Sequence, residues 1–312
     1  MAESALSSGN YIVLMTPFSV SDVPDMIGRT VVVTGANSGL GRSTARTFAS
    51  RGARVIIAVR DVAKGNDARA TMSGDTEVRR LDLADLASIR AFAGSLDEPI
   101  DLLINNAGLM IPPLGRTADG FELQFGTNHL GHFALTNLLL PQIRERVVTV
   151  SSTAHRAGSI DFNDLNWERR RYRAMAAYGQ SKLANLLFTA ELQRRLTKAS
   201  SSVIATAAHP GTAATNLVRL SGKRPTLDAI TRKLTGLLFQ SEDDGALPTL
   251  FAAVSDIPGN SYAGPSGVLE GRGAPELVER SRRARDHAVA RRLWTVSEEL
   301  TGVNFPLSRV TG

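Results

Sequence analysis

Residues Thr34–Gly41, reading Thr-Gly-Ala-Asn-Ser-Gly-Leu-Gly, constrain this chain more than any other stretch. They follow a β-branched run, Val31–Val33, and lead into Arg42–Ser50, where Leu40, Ala45, Phe48 and Ala49 share a helical face. A strand, a glycine turn and a helix start make a cradle for phosphate. The glycines admit backbone approaches that a Cβ blocks, and the helix start offers unpaired N–H groups and a positive dipole end to an anion. Three residues separate Gly35 from Gly39, so this is not the common G-x-G-x-x-G fingerprint. Its weight comes from its place between a strand and a helix.

The same alternation runs down the chain. Strands are expected at Ala53–Val59, Thr76–Leu81, Pro99–Asn105, Arg146–Ser151 and Ser202–Ala208, with a short last one at Asn260–Gly264. Helices are expected at Asp61–Met72, Asp85–Leu96, Asp119–Leu140, Ala176–Leu196 and Ser241–Val254. The continuous apolarity of Leu102–Ile104 implies burial on both faces, as in a parallel sheet. This pattern predicts an α/β chain, a Rossmann-type doubly wound parallel β-sheet flanked by helices in a three-layer αβα sandwich. No internal boundary is marked, so residues 29–312 are expected to form a single domain after an N-terminal extension, 1–28. Within it, residues 212–240 carry leucines among basic residues and read as a substrate lid, and residues 271–312 as a basic helical tail.

The 312 residues include no cysteine, which excludes disulfides, thiolate catalysis and cysteine-based zinc sites, and suits a reducing cytoplasm. The formal charge is +6, with basic residues gathered late in Arg169–Arg173 and Arg280–Arg292, where solvated faces are expected. No nucleic-acid recognition motif accompanies them, and an anionic cofactor accounts for part of the balance. No apolar run approaches the ~20 residues that span a bilayer. His129 and His132 lie three apart but lack a third ligand of matching pattern nearby, so no metal is expected.

The strand ends carry the candidate chemistry. An acidic residue at the end of the second strand would accept from the 2′-hydroxyl of NAD, whereas an arginine accommodates the 2′-phosphate of NADP. Here Val59 is followed by Arg60, which predicts NADP(H), with Arg42 assisting and NAD(H) as second choice. Asp82 is placed to accept from an adenine amino group or to cap the following helix. The small residues of Asn105–Gly108 let a ribose and nicotinamide lie against backbone. Asn128 sits mid-helix, where asparagine is a poor helix former, and a catalytic water is one reason for it. Tyr178 and Lys182 stand four residues apart on one helical face.

Together Thr34–Gly41, Asn105–Gly108, Asn128, Ser152 and Tyr178-Gly-Gln-Ser-Lys182 resemble the short-chain dehydrogenase/reductase family, over about Arg29 to Gly264. Asn128-His-Leu-Gly-His-Phe, Ser181-Lys-Leu-Ala-Asn and His209-Pro-Gly resemble its retinol dehydrogenase and WW-domain oxidoreductase branch. The resemblance implies Tyr178 as general acid and base, with Lys182 lowering its pKa and holding the nicotinamide ribose. It implies Ser152 as donor to the substrate oxygen and Asn128 as holder of a relay water. Cofactor contacts are implied at Gly35, Asn37, Ser38, Gly39, Leu40, Gly41, Arg60, Asp82, Leu83, Asn106, Ala107, Gly108, Tyr178, Lys182, Pro210, Gly211 and Thr215.

The implied reaction is hydride transfer between NADP(H) and a small carbonyl or alcohol substrate, lipophilic in that branch. A homodimer or homotetramer is the implied assembly. The alternatives are a catalytically idle NADP(H)-binding regulator, or an isomerase or dehydratase on the same scaffold. The intact set of Asn128, Ser152, Tyr178 and Lys182 favours the oxidoreductase. The interval between Ser152 and Tyr178 is longer than usual and holds Asp161–Arg173, expected to border the substrate entrance or to block helix pairing between subunits. His155, in the same interval, is expected in solvent, with contact to the substrate as the alternative.

Overall fold

The structure, a computed structural model, describes residues 17–211 and 241–307. Its strands are β1 (Thr30–Thr34), β2 (Arg54–Val59), β3 (Thr76–Arg80), β4 (Ile100–Asn105), β5 (Ile143–Val150), β6 (Ile204–Ala208), β7 (Tyr262–Pro265) and β8 (Pro275–Leu277). The longer helices are α1 (Gly39–Ser50), α2 (Val62–Arg69), α3 (Leu86–Gly94), α4 (Gly131–Leu139), α5 (Ala174–Lys198), α6 (Glu242–Val254) and α7 (His287–Thr301). The strands make one sheet in the order β3-β2-β1-β4-β5-β6-β7-β8. It is parallel from β3 to β7, and β8 closes it antiparallel to β7.

Helices cover both faces, which is why the central strands are apolar without alternation. On one face Ile56, Leu103, Phe133, Phe188 and Trp294 share a buried cluster; on the other, Val31, Ile57, Phe48 and Leu250 share a second. The three-layer αβα architecture is therefore the one the sequence predicts. Strand order reverses between β1 and β4, which opens a crevice at their carboxyl ends, where such sheets bind ligands.

Three expectations need correction. Asp119–Leu140 is not one helix: a short α turn, Leu123–Phe125, runs into a π turn, Gly126–Leu130, before α4 begins. The tail is not helical throughout: β8 and a 3-10 turn, Arg282–Arg285, precede α7. Arg280 is buried rather than solvated and donates to the backbone of Ser261 at 3.2 Å. Before β1, Val23 and Met26 are buried, and Phe18 packs edge-on against Phe251 with 5.4 Å between centroids. Residues 212–240, including the expected lid and Thr215, lie outside the described residues. Among those described, no helix is long and apolar enough to cross a membrane.

Candidate active site

The turns after β1 and β4 are fastened by one hydroxyl. Thr34 Oγ1 accepts from the N–H groups of Asn106 and Ala107, both at 2.9 Å, and Asn106 Nδ2 donates to Thr34 O at 2.8 Å. His132 completes the joint. Its Nδ1 faces the Asn128 carbonyl at 3.0 Å and must carry the ring proton, so Nε2, 3.0 Å from Thr34 Oγ1, accepts the threonine proton. Burial pushes the His132 pKa down to about 4, which keeps this neutral tautomer at physiological pH. His132 thus ties the glycine turn to the π turn, a role that a spacing argument about metals could not find. His129 turns elsewhere, to Ser297 Oγ on α7 at 2.9 Å.

The glycines are required by close approach. Gly35 takes φ +68°, and a Cβ there would lie 2.9 Å from the Ala107 side chain. A Cβ on Gly41 would meet Asn106 Nδ2, and Gly35 O at 2.6 Å. Ser38, the N-cap of α1, makes no side-chain cap, so the first N–H groups of a 12-residue helix face the crevice without one. A bare cradle of this kind fits the pyrophosphate of a nicotinamide dinucleotide.

Around this cradle the expected contacts separate. Arg60 is exposed at the end of β2 and has no ion pair among the described residues, because Asp61 caps α2 and pairs with Lys64 at 3.3 Å. Arg42 is not available in the same way: it is bound to Glu242 at 2.9 Å. Asp82 does not cap α3; Asp85 does, accepting from Ala87 and Ser88. Asp82 Oδ1 instead accepts from Ala84 N at 3.0 Å, beside buried Leu83.

The reactive groups meet at the ends of β5 and on one face of α5. Lys182 is buried, its Nζ donating to Val150 O at 3.0 Å, beside Asn185 Nδ2 on the same carbonyl at 3.1 Å. Its Nζ lies 5.7 Å from the Tyr178 ring centroid. The Ser152 hydroxyl lies close enough to the Tyr178 phenol to favour its ionised form, and it accepts from Ala154 N at 3.2 Å. The expected lowering of the phenol is not what the protein by itself does. Burial raises the Tyr178 pKa, opposed by the Ser152 hydroxyl, while burial brings Lys182 down to about 8. A phenol held protonated is suited to donate a proton.

Asn128 is spent on structure. Its Nδ2 donates to Leu109 O and Ser181 Oγ, each at 2.9 Å, and its Oδ1 accepts from Leu109 N at 2.7 Å. Ser181 Oγ in turn donates to Tyr178 O at 2.8 Å. The side chain therefore pins the segment beyond Gly108 to α5. A Cβ on Gly108 would sit 3.3 Å from Asn128 Oδ1 and 3.4 Å from Lys182 Nζ, so the glycine gives both side chains room.

The interval 161–173 is folded about Asp164, whose carboxylate accepts from the N–H groups of Glu168, Arg169 and Arg170. Arg170 lies 3.7 Å over the Trp167 ring and reaches Gln180 Oε1 at 3.1 Å, two residues beyond Tyr178. Gln124, fully buried and overlooked in the sequence, joins three segments: Oε1 accepts from Ile111 N, and Nε2 donates to Tyr172 OH and Ala174 O. His155 is not in solvent. It is buried, with Nδ1 donating to Ser152 O at 2.7 Å and Nε2 accepting from Ser281 N at 3.2 Å. This fastens the Ser152 turn to the tail.

A crevice at the strand switch, a glycine cradle and a Ser–Tyr–Lys constellation define a nicotinamide-dependent oxidoreductase fold. The short-chain dehydrogenase family model matches residues 29–225, and the chain belongs to that family. It is 45% identical over 300 residues to human retinol dehydrogenase 13, covering 90% of this chain and 87% of that one. It is 44% identical to mouse retinol dehydrogenase 12, covering 89% and 88%. A crystal structure of an uncharacterized protein from Mycobacterium paratuberculosis shares 54% identity and a TM-score of 0.83, covering 94% of this chain and all of that one. The Pseudomonas aeruginosa RhlG/NADP complex shares 25% identity, covers 73% of this chain and 90% of that one, and has a TM-score of 0.56. The protein is an NAD(P)-dependent oxidoreductase of the short-chain type.

Proposed function

We propose that the protein is an NADP(H)-dependent reductase of lipophilic carbonyls, or dehydrogenase of the matching alcohols. The observation that carries this is the meeting of Ser152, Tyr178 and Lys182 beside the cradle of Thr34–Gly41. A bound nicotinamide supplies the hydride. Tyr178 gives its proton to the carbonyl oxygen, and Ser152 donates a hydrogen bond to that oxygen as negative charge develops. Lys182 holds the ribose and its charge favours the phenolate left behind. Gly35, Asn37, Ser38, Gly39, Leu40 and Gly41 hold the pyrophosphate, Asp82 and Leu83 the adenine, and Asn106, Ala107, Gly108, Pro210, Gly211 and Thr215 the nicotinamide half. Asn128 acts by holding Leu109 and Ser181 in place rather than by offering its side chain to a water.

NADP(H) over NAD(H) rests on Arg60, exposed and without an ion pair among the described residues, at a strand end with no carboxylate. A lipophilic substrate is supported by the retinol dehydrogenase relatives and by exposed Leu114 and Met175, on segments that Gln124 draws together through Ile111 and Ala174. A cytoplasmic setting suits the absence of cysteine, and cell fractionation tests it.

The test is oxidation of NADPH, followed by absorbance, over carbonyls from short aldehydes to retinal and steroid ketones, with NADH in parallel. Turnover of bulky apolar carbonyls that disappears in Tyr178→Phe is the expected result. Arg60→Ala should cut the NADPH preference about tenfold, the equivalent of one charge-assisted hydrogen bond. NADPH binding without turnover of any carbonyl would overturn the enzymatic reading, and equal affinity for both cofactors would overturn the preference.

A further inference from the structure

One buried histidine and one distant glutamate join the two turns that flank the candidate site. His209 follows β6, and its imidazole is fully buried against Tyr262, with 5.1 Å between centroids. Its Nδ1 accepts from Gly211 N at 3.1 Å, so the ring proton sits on Nε2. That nitrogen stands 3.1 Å from Glu270 Oε2, off the axis of a hydrogen bond but close enough for the carboxylate to attract the ring N–H. Burial holds the His209 pKa down at about 3, so the ring is neutral there. The other carboxylate oxygen of Glu270 binds Arg156 Nη2 at 2.5 Å. Arg156 lies in the 3-10 turn Thr153–Ala157 that directly follows Ser152.

The glutamate is delivered at a cost in backbone strain. Leu269 and Glu270 both take φ +55°, a region that side chains with a Cβ avoid. Such strain persists where surroundings over-determine it, and it gathers at functional sites. The turn is pressed onto the strand end: a Cβ on Gly211, itself at φ +68°, would lie 2.5 Å from Gly271 O and 2.9 Å from Glu270 O. At the tip of the same turn Val268 and Leu269 are 89% and 91% exposed, so the strain is not repaid by apolar burial there.

We infer that Glu270 is a positioning residue, which through Arg156 and His209 sets the Ser152 turn and the His209–Gly211 turn at a fixed separation. This rests on the reading of Ser152 as the substrate-oxygen donor and of Pro210 and Gly211 as cofactor contacts. The carboxylate acts through its two side-chain contacts, Arg156 and His209. It spans the turn after Ser152 and the His209–Gly211 turn, which among the described residues no backbone ladder joins beyond the pair Val150 and Ala208. A shift of about 1 Å between a polarising hydroxyl and a hydride donor is enough to slow transfer by about a hundredfold.

The test compares wild type with Glu270→Gln and Glu270→Ala. In the protein without cofactor, nitrogen-15 shifts of the His209 ring read the contact by itself, and the Nε2–H resonance should move in Glu270→Gln. With NADPH and a turned-over carbonyl, kcat should fall about tenfold or more in Glu270→Ala and less in Glu270→Gln. The isotope effect from NADPH deuterated at the transferred position should rise as hydride transfer becomes limiting. Thermal unfolding of the cofactor-free variants separates positioning from stability. Unchanged ring shifts, unchanged kcat and isotope effect, or losses that merely track unfolded protein in both variants would each overturn the inference. Wild type that shows the ring contact but binds no NADPH by fluorescence would instead break the reading of the site on which the inference rests.

Discussion

The two halves of the crevice are built differently. On the cofactor side, the turns after β1 and β4 are joined by short-range chemistry: Thr34 Oγ1, the Asn106 amide and glycines that let two backbones touch. On the substrate side, the turns after β5 and β6 are held by long side chains from far along the chain, including His155 to Ser281, Gln124 to Ala174, and Arg156 and His209 to Glu270. The first arrangement has little freedom, because a Cβ or a lost hydroxyl has nowhere to be absorbed. The second tolerates change in the segments it joins, which is the arrangement a substrate-selecting surface needs.

Thr34→Val is the sharpest way to break that contrast. The change preserves shape and removes the acceptor of two backbone N–H groups and the donor to His132. Asn106 N–H keeps its bond to Ile104 O, so Ala107 N–H and His132 Nε2 are the groups orphaned; at about 1–3 kcal/mol each, urea unfolding should show a loss of about 2–6 kcal/mol. NADPH affinity should fall with it, while Thr34→Ser should restore both. A valine variant with wild-type stability and affinity would show that the joint is redundant.

Gln124→Leu tests the other half with a smaller effect. It removes bonds to Ile111 N, Tyr172 OH and Ala174 O and leaves the cradle untouched. KM for a bulky carbonyl should rise about tenfold, the worth of one or two hydrogen bonds, while NADPH affinity stays at the wild-type value. Equal loss of substrate and cofactor binding would mean that the two halves are one mechanical unit.

This difference also explains what was legible in the sequence. The glycine turn, Asn105–Gly108 and the Tyr178–Lys182 pair are local motifs, and the structure brings them to one crevice. The alternation of strands and helices likewise located seven of the eight strands; β8, three residues long, has too little pattern to be seen. Glu122 and Gln124 look like ordinary polar residues of a helix start. Only the fold shows the Glu122 carboxylate buried, accepting from Gln124 N, Phe125 N and Tyr172 OH. The π turn is equally hidden, because it exists to let Asn128 reach Leu109, a partner 19 residues earlier. Glu270 acts across 114 residues on Arg156, and no periodicity encodes such a pairing.

The pH response of Lys182 is the smallest effect and the one that separates chemistry from packing. Its pKa falls from 10.5 to about 8 because burial disfavours the ammonium. Between pH 7 and 8 the charged fraction drops from about nine-tenths to about one half, so carbonyl reduction should slow about twofold, and further above pH 8. Stability should move the other way. The unfolded lysine stays protonated up to its usual pKa while the folded one does not, so the unfolded chain binds more protons between about 8 and 10.5 and folding gains as pH rises through that window. Lys182→Met has no charge to lose, so it should flatten the lysine's share of the stability slope and abolish turnover. Rate and stability that fall together above pH 8 in wild type would show that the lysine keeps its charge, and that the decline belongs to another group.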